Sequence, residues 1–484
     1  MVKNRVNCIT DMNKPVMRAP ELIPYVPIYI EEEKRMSVQS KIDALQTARG
    51  EISSTKAYER LAKLFDDGVF TEIDSFARSS SGYAEVVAGR GNIGGIGVFA
   101  YAQNPDVSGG AMSKAQAAKI RKVYDLALKT GEPVVSIFDS IGGRIDQGSD
   151  LLGAYGDVLR YSSNLSGVVP QISLVLGSCC GTQALIAVSG DIVVMSEKAG
   201  LTLNTDGSDS DAKTNASHGI AHLVAEDDDK AIAKVRKLVS MLPSNNLDYA
   251  GTVEFDDAES SSDDVVKTVI DGDSGIELQS EFGKSIRTVL ATVEGATVGV
   301  VATNDKVLDG KGTAKAARFI RFCDAFGIPV VTLLDAEKFA CIKSAAKLSG
   351  AYAEATTAKI TVITGDAFGA VYIAAAGTGA AADVTYAWAG ASISALSPEA
   401  AAIVELGDDF GGKLRGAADP KAERANVVAQ FKEENLGADR AAADGYVQDI
   451  ILPEETRAKV VAALDMLADK RVSTLPKKHN NTYI

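Results

Sequence analysis

Apolar and polar positions alternate along this chain in two rhythms. From Met36 to Asp67 the apolar markers Ile42, Leu45, Leu61, Leu64 and Phe65 fall at helical spacing. Short β-type runs follow at Val86–Val87 and Ile96–Ala102, with Gly89, Gly91, Gly94 and Gly95 between them as predicted turns. A helix is predicted from Ser113, a suitable N-cap, to Lys129. Pro133–Phe138 reads as a buried strand, Leu151–Ser163 as a second helix, and Pro170–Leu176 as another strand ending at Gly177. Thr182–Val188 is helical again. Strand, short turn, helix, strand implies an α/β protein with largely parallel strands.

The second half repeats the plan. Ala117–Arg121 matches Ala316–Arg321, Pro133–Asp139 matches Pro329–Asp335, and Gln171–Gly177 matches Lys359–Gly365. A repeat this long means duplicated domains, each large enough to bury its own core. The polar stretch Asp256–Asp264 separates them. The predicted domains are 36–255 and 275–484.

Residues 1–35 form a separate piece. Pro15, Pro20, Pro24 and Pro27 each remove a backbone donor, so an extended arm is expected. The run Glu31–Arg35 before Met36 has purine-rich codons that would resemble a ribosome-binding site. Two readings result: a real arm, or translation beginning at Met36.

Composition narrows the function. The chain has 484 residues with 46% apolar, 50 Lys plus Arg against 64 Asp plus Glu, and a net charge of −14. The acidic balance argues against a nucleic-acid binder. Five Cys without paired spacing argue against a disulfide-stapled secreted protein. No apolar run reaches the roughly 18 residues of a membrane span, and no compact apolar signal core opens the chain, so a cytoplasmic protein is expected.

Ionisable catalytic groups are few. His218 and His222 could share one helix face at i, i+4, but they lack the other ligands of a zinc site, and packing or capping roles fit them better. Cys179–Cys180 has neither redox nor metal spacing. Neither a Walker pattern nor a dinucleotide fingerprint in a strand–helix context occurs. What remains is a pair of glycine turns, Gly177–Thr182 and Gly365–Ala370, each between a strand and a helix. Backbone N–H groups at such a turn can hold a developing oxyanion without any ionisable side chain.

At these residues the chain resembles the biotin-dependent acyl-CoA carboxyltransferases, the subunits of propionyl-CoA carboxylase and methylmalonyl-CoA decarboxylase type. The resemblance runs from about residue 40 to the end. It is carried by Arg60–Gly68, Ser166–Ser173, Leu242–Asn246, Arg318–Phe326, Ala351–Thr356, Tyr386–Trp388, Gly445–Val447, Thr456–Arg457 and Pro476–His479. It implies two tandem crotonase-like domains, each a ββα spiral, in dimers up to hexamers. The N-terminal domain would take the acyl-CoA. The C-terminal domain would take biotin, carried by a separate biotin carboxyl carrier protein, and a biotin carboxylase subunit or a membrane decarboxylase subunit would complete the system. The site would form where one subunit's N-terminal domain faces another's C-terminal domain. Gly181 and Thr182 would hold the thioester enolate, and Gly369 and Ala370 the ureido oxygen of biotin. Gly109, Gly110, Gly142 and Gly143 would line the substrate side.

The departures fall at these places. Thr182 replaces a second glycine. The family's Asp-Ser-Gly-Gly-Ala-Arg-Ile is here Asp139–Ile145, with Ile141 where a glycine is expected. Its Arg-Lys-Ala-Tyr-Gly-Gly-Ala is here Gly365–Val371, and the loop after Asp335 is shortened. Two alternatives therefore stay open: a biotin-independent crotonase-type acyl-CoA enzyme, and a non-catalytic paralogue that scaffolds such a complex.

Overall fold

The computed structural model describes residues 38–79, 82–83, 85–204, 210–257, 262–415 and 417–473. The proline-rich arm, Met36 and His479 lie outside the described residues. Contacts group residues 1–49 and 50–484 as two units, and the site lies within the second.

The stretch 36–67 is two helices, Val38–Ser53 and Lys56–Leu64, rather than one. Thr55 restarts the helix: it is extended, and its side chain accepts from the Tyr58 N–H. Ile42 and Leu45 stay exposed, whereas Leu61 and Leu64 are fully buried.

Two eight-stranded sheets share one plan. In the first the order is Phe70–Glu72, Val86–Ile93, Ile96–Gln103, Val134–Ser140, Gln171–Cys180, Ile192–Ser196 and Leu223–Ala225. In the second it is Ile276–Leu278, Ile286–Val293, Ala296–Thr303, Val330–Ala336, Lys359–Phe368, Val384–Trp388 and Asp449–Ile451. The first three strands of each are antiparallel and the rest parallel. A short eighth strand, Gly200–Thr202 or Ser392–Ser394, pairs with the far end of the long central strand. The crossovers also correspond: Lys114–Thr130 with Gly310–Ala325, and Asp150–Leu165 with Ile342–Glu354. Ser113 caps its helix as expected, accepting from the Gln116 N–H.

The glycines of the first hairpin divide into two kinds. Gly94 and Gly95 make its turn with φ of 57° and 81°. Gly89 and Gly91 lie inside the strand Val86–Ile93, where a Cβ would stand 2.5 Å from the rings of Phe70 and Phe65. They are sites of close packing and not turns.

Each half has a private apolar cluster: Phe99, Tyr101, Val134, Phe138 and Val175 in the first, and Val289, Val298, Val331 and Val362 in the second. A further cluster runs through both halves, joining Leu174, Val194, Leu238 and Leu242 to Leu290, Phe319, Ile320 and Phe326. Each sheet is covered on this side by helices of its own half, Lys56–Leu64 and Asp228–Met241 in the first and Gly310–Ala325 in the second, and the shared cluster joins the two halves where these layers meet. Arg318 of the second half donates to the carbonyls of Gly190 (3.0 Å) and Asp191 (3.2 Å) of the first, and the Gln279 N–H donates to the His222 carbonyl (2.8 Å).

Candidate functional site

The two glycine turns lie at matching ends of the two long central strands. Gln171–Cys180 runs straight past Gly177, and Lys359–Phe368 past Gly365. Both were expected to end at those glycines. The strands continue because Ser178–Cys180 pairs with Gly200–Thr202, and Asp366–Phe368 with Ser392–Ser394. The turn comes four residues later in each case, at Gly181 (φ 66°, ψ −138°) and Gly369 (φ 48°, ψ −115°). These angles suit glycine alone. The helices Thr182–Val188 and Ala370–Ala375 follow at once.

The N–H groups at these turns are not equally available. Gly181 donates to the Thr202 carbonyl (2.9 Å) and Gly369 to the Ser394 carbonyl (2.8 Å). Each glycine closes the ladder to the short eighth strand, so its own amide is occupied. That corrects the expectation that Gly181 and Gly369 supply donors themselves. The amides with no intrahelical acceptor are those of the first helical turn, starting with Thr182 and Ala370.

Gly177 and Gly365 have a different purpose. A Cβ at Gly177 would stand 2.0 Å from Asp139 Oδ1, and one at Gly365 would stand 2.2 Å from Asp335 Oδ1. Each central strand makes room for the aspartate at the end of its neighbour, and the pairing register shifts at that point in both halves. In the first half, buried Arg60 donates to Asp139 Oδ2 (2.8 Å) and to the Leu176 carbonyl (3.2 Å). In the second, Lys306 bridges Asp335 and Asp366.

The four other predicted glycines do come together. The Met112 N–H donates to the Gly142 carbonyl (2.8 Å), the Ile141 N–H to the Gly109 carbonyl (3.1 Å), and Met112 pairs with Gly143. A Cβ on Gly110 would lie 2.2 Å from the Asp139 carbonyl oxygen, and one on Gly142 would lie 3.9 Å from the Cys180 carbonyl oxygen. The paired loops thus sit beside the Gly181 turn. Arg144, whose N–H donates to the Met112 carbonyl (2.8 Å), ties them to buried Glu85 (2.9 Å). Ile141 is 67% exposed and packs its side chain against Gly109, so it projects from the loop without filling the turn.

A cleft adjoins each turn. In the first half an open cleft of about 300 Å³ is lined by Leu185, Val188, Leu201, Leu203, His218 and Ile220. In the second about 370 Å³ lies between Gly369, Tyr372 and Ser394 on one side and Glu405, Asn435 and Leu436 on the other.

The carboxyl transferase domain family matches residues 49–482. The chain belongs to that family. It is 35% identical to the methylmalonyl-CoA decarboxylase alpha subunit of Veillonella parvula, across 90% of this chain and 94% of that one. It is 34% identical to the methylmalonyl-CoA carboxyltransferase 12S subunit of Propionibacterium freudenreichii subsp. shermanii, across 88% and 91%. The solved structure of transcarboxylase 12S, a hexamer with hydrolysed methylmalonyl-CoA bound, superposes with a TM-score of 0.85 at 31% identity, across 93% and 99%. The fold is the two-fold crotonase-type arrangement of these carboxyltransferases, and the resemblance read from the residues holds.

Within this carboxyltransferase His222 and Cys179 are buried, whereas His218 lines the first cleft and Cys180 stands next to the Gly181 turn. His218 ends the helix Ala212–Ser217 and His222 lies beyond the Gly219 turn, so they do not share a helix face. His222 is buried, its Nδ1 accepts from the Val193 N–H (3.1 Å), and burial together with Arg318 pushes it down to about 3. Burial pushes the Cys179 thiol up.

Sequence reasoning missed the helices Pro398–Leu406, Asp408–Arg415 and Pro420–Asn435, of which the first and third bring Glu405 and Asn435 to the second cleft. The signal was present: Ser397–Pro398 and Asp419–Pro420 are each an N-cap followed by proline at the first helical position. It also missed the Asp139–Gly177 and Asp335–Gly365 contacts, though all four residues stand inside the repeated strings. No helix among the described residues is long and apolar enough to cross a membrane.

Proposed function

We propose that the chain is the carboxyltransferase subunit of an acyl-CoA carboxylase or decarboxylase, moving a carboxyl group between carrier-held biotin and the α-carbon of a short-chain acyl-CoA. The observation that carries this reading is the duplicated unit: strand, glycine at positive φ, amides free of intrahelical acceptors, and a cleft beside them. The residues present fit both groups. The first cleft is walled by Leu185, Val188, Leu203 and Ile220, which suits a short acyl chain. The second offers Tyr372, Ile373 and Ile393 to a flat ring and polar Asn435 and Arg440 at its edge.

Biotin, when bound, supplies the carboxyl group or accepts it. The protein's part is electrostatic. The Thr182 amide holds the thioester oxygen as negative charge builds on it, so the α-carbon can lose or gain a carboxyl group. The Ala370 amide holds the ureido oxygen in the second cleft. Gly181 and Gly369 fix the direction of these amides because their own N–H groups are tied to Thr202 and Ser394. We assign the complete site to a homo-oligomer, from dimer to hexamer, in which one subunit's first cleft faces another's second. The partners are a biotin carboxyl carrier protein with a biotin carboxylase subunit or a membrane decarboxylase subunit, and the setting is the cytoplasm.

The test uses purified protein, free biotin and malonyl-CoA or methylmalonyl-CoA, and follows biotin-dependent loss of the carboxyl group. Proline at the first helical position removes an amide and leaves the helix intact. Thr182→Pro and Ala370→Pro are each expected to lower kcat by about 10²–10³-fold, the effect of one oxyanion donor. Turnover that persists without biotin, or that ignores both substitutions, overturns the reading.

A further inference from the structure

The walls of the second cleft come from separate parts of the chain. Gly369, Tyr372 and Ser394 belong to the sheet and the helix that follows it, whereas Glu405, Asn435 and Leu436 belong to the helical segment 398–436. That segment has its own small core of Ala401, Ala402, Phe410, Val427, Phe431 and Leu436, packed on the sheet residue Phe368. The first half's short helix Ala212–Ser217 matches Ala438–Ala443, since Gly200 bridges Asp211 as Ser392 bridges Gly437, and among the described residues the first half has no counterpart of 398–436.

A buried carboxylate joins the two walls. Asp366, 5% exposed, lies three residues before Gly369 on the central strand. Its N–H donates to Asp335 Oδ1 (2.7 Å). Lys306 Nζ reaches its Oδ2 at 2.8 Å, and Lys432 Nζ, from the helix Pro420–Asn435, reaches its Oδ1 at 2.5 Å. The Lys432 ammonium also stands 5.5 Å from the centre of the Phe368 ring. Lys432 therefore closes an ion pair and a cation–π contact on residues that lead straight into the turn. Three residues further along its own helix, Asn435 and then Leu436 face the cleft.

We propose that Lys432 is a positioning residue: through Asp366 it fixes the helical wall at a set distance from Gly369 and so sets the affinity of the second cleft. The ligand class rests on the proposed function, in which this cleft takes the ureido ring of biotin. Neither Lys432 nor Asp366 touches the reacting atoms. Their effect is on the space the ring enters, and the first cleft is independent of them.

The experiment compares the full chain with Lys432→Ala and Lys432→Arg, using free biotin and saturating methylmalonyl-CoA. Lys432→Ala is expected to raise KM for biotin by about tenfold, to leave kcat within about twofold, and to leave KM for the acyl-CoA unchanged. Lys432→Arg keeps the charge and reach and is expected to restore KM. An unchanged KM for biotin in Lys432→Ala overturns the proposal. Hydrogen exchange gives a readout that does not need turnover. Amides of 392–394 and 435–437 are expected to exchange faster in Lys432→Ala and normally in Lys432→Arg, with 171–202 unaffected. Unchanged exchange in 435–437 overturns the proposal whatever the activity. A wild-type chain without biotin-dependent turnover overturns the functional reading instead, and the exchange experiment still decides on Lys432.

Discussion

The two halves present the same backbone and different charge scaffolds. Both carry a long parallel strand that makes room for a neighbour's aspartate at a glycine and turns at a second glycine. The first half locks Asp139 with Arg60, whose side chain is 4% exposed and also reaches Asp228 at 3.4 Å. The second holds Asp335 with Lys306, whose side chain is 46% exposed and which it shares with Asp366. Burial would raise the Asp366 carboxyl, but its bonds to Lys306 and Lys432 outweigh that and hold it below the usual carboxylate range. The first half is thus fixed from within, and the second is fixed by a helical segment fastened from outside. The backbone geometry recurs in both halves, and the side chains that support it differ.

The largest expected effect breaks that comparison at its charges. Arg60→Ala leaves Asp139 largely buried without its guanidinium and is expected to cost about 3–5 kcal/mol in denaturant unfolding. Lys306→Ala, at a half-exposed position, is expected to cost about 1 kcal/mol or less. Equal losses would show that the two scaffolds are equivalent after all. Next come the glycines. Gly177→Ala drives a methyl into the locked Asp139 carboxylate and is expected to cost about 1–3 kcal/mol. Gly365→Ala meets Asp335, which can swing toward solvent, and its cost is expected to be the smaller of the two. Paired urea titrations decide the order.

The smallest effect is a pH dependence at the seam between the halves. His222 is depressed to about 3 by burial and by Arg318, so the folded state takes up its proton less readily than the unfolded state. The stability it contributes is present above pH 6.5 and lost as pH falls toward 3, with a slope of at most about 1.4 kcal/mol per unit. Asp191, on the same seam, is raised by burial to about 6. Its contribution has the opposite sign: present below about 3.8 and lost as pH rises through 6. His222→Gln is expected to flatten the acid limb of urea midpoints measured between pH 7 and 4. Asp191→Asn is expected to steepen it.

Much of this was legible in the order of residues. The Pro-Val-Val strands, the Ser113 cap, the helix Thr182–Val188 and the repeat all follow from local chemistry, and the repeat located both glycine turns. The strand ends were placed four residues early because the apolar run stops at Leu176 and at Thr364, and glycine there reads as a stop, although the predicted turns already held Gly181 and Gly369. Nothing local announces that Gly200–Thr202 will extend the ladder past it. The helix Pro420–Asn435 buries only Val427 and Phe431, so it carries no apolar stripe to read. The ties of Arg60 to Asp139 and of Lys432 to Asp366 join residues far apart in the chain, and only folding brings them together.

The shared apolar cluster also has a schedule during synthesis. Leu174, Val194, Leu238 and Leu242 leave the ribosome well before Leu290, Phe319 and Phe326, which complete the cluster. At roughly 5–20 residues per second, the first half waits on the order of ten seconds with its side of the seam unpaired. In that interval it is a substrate for chaperones and a hazard for sticking to another nascent copy. The first half expressed alone as a truncated chain inherits that exposure permanently.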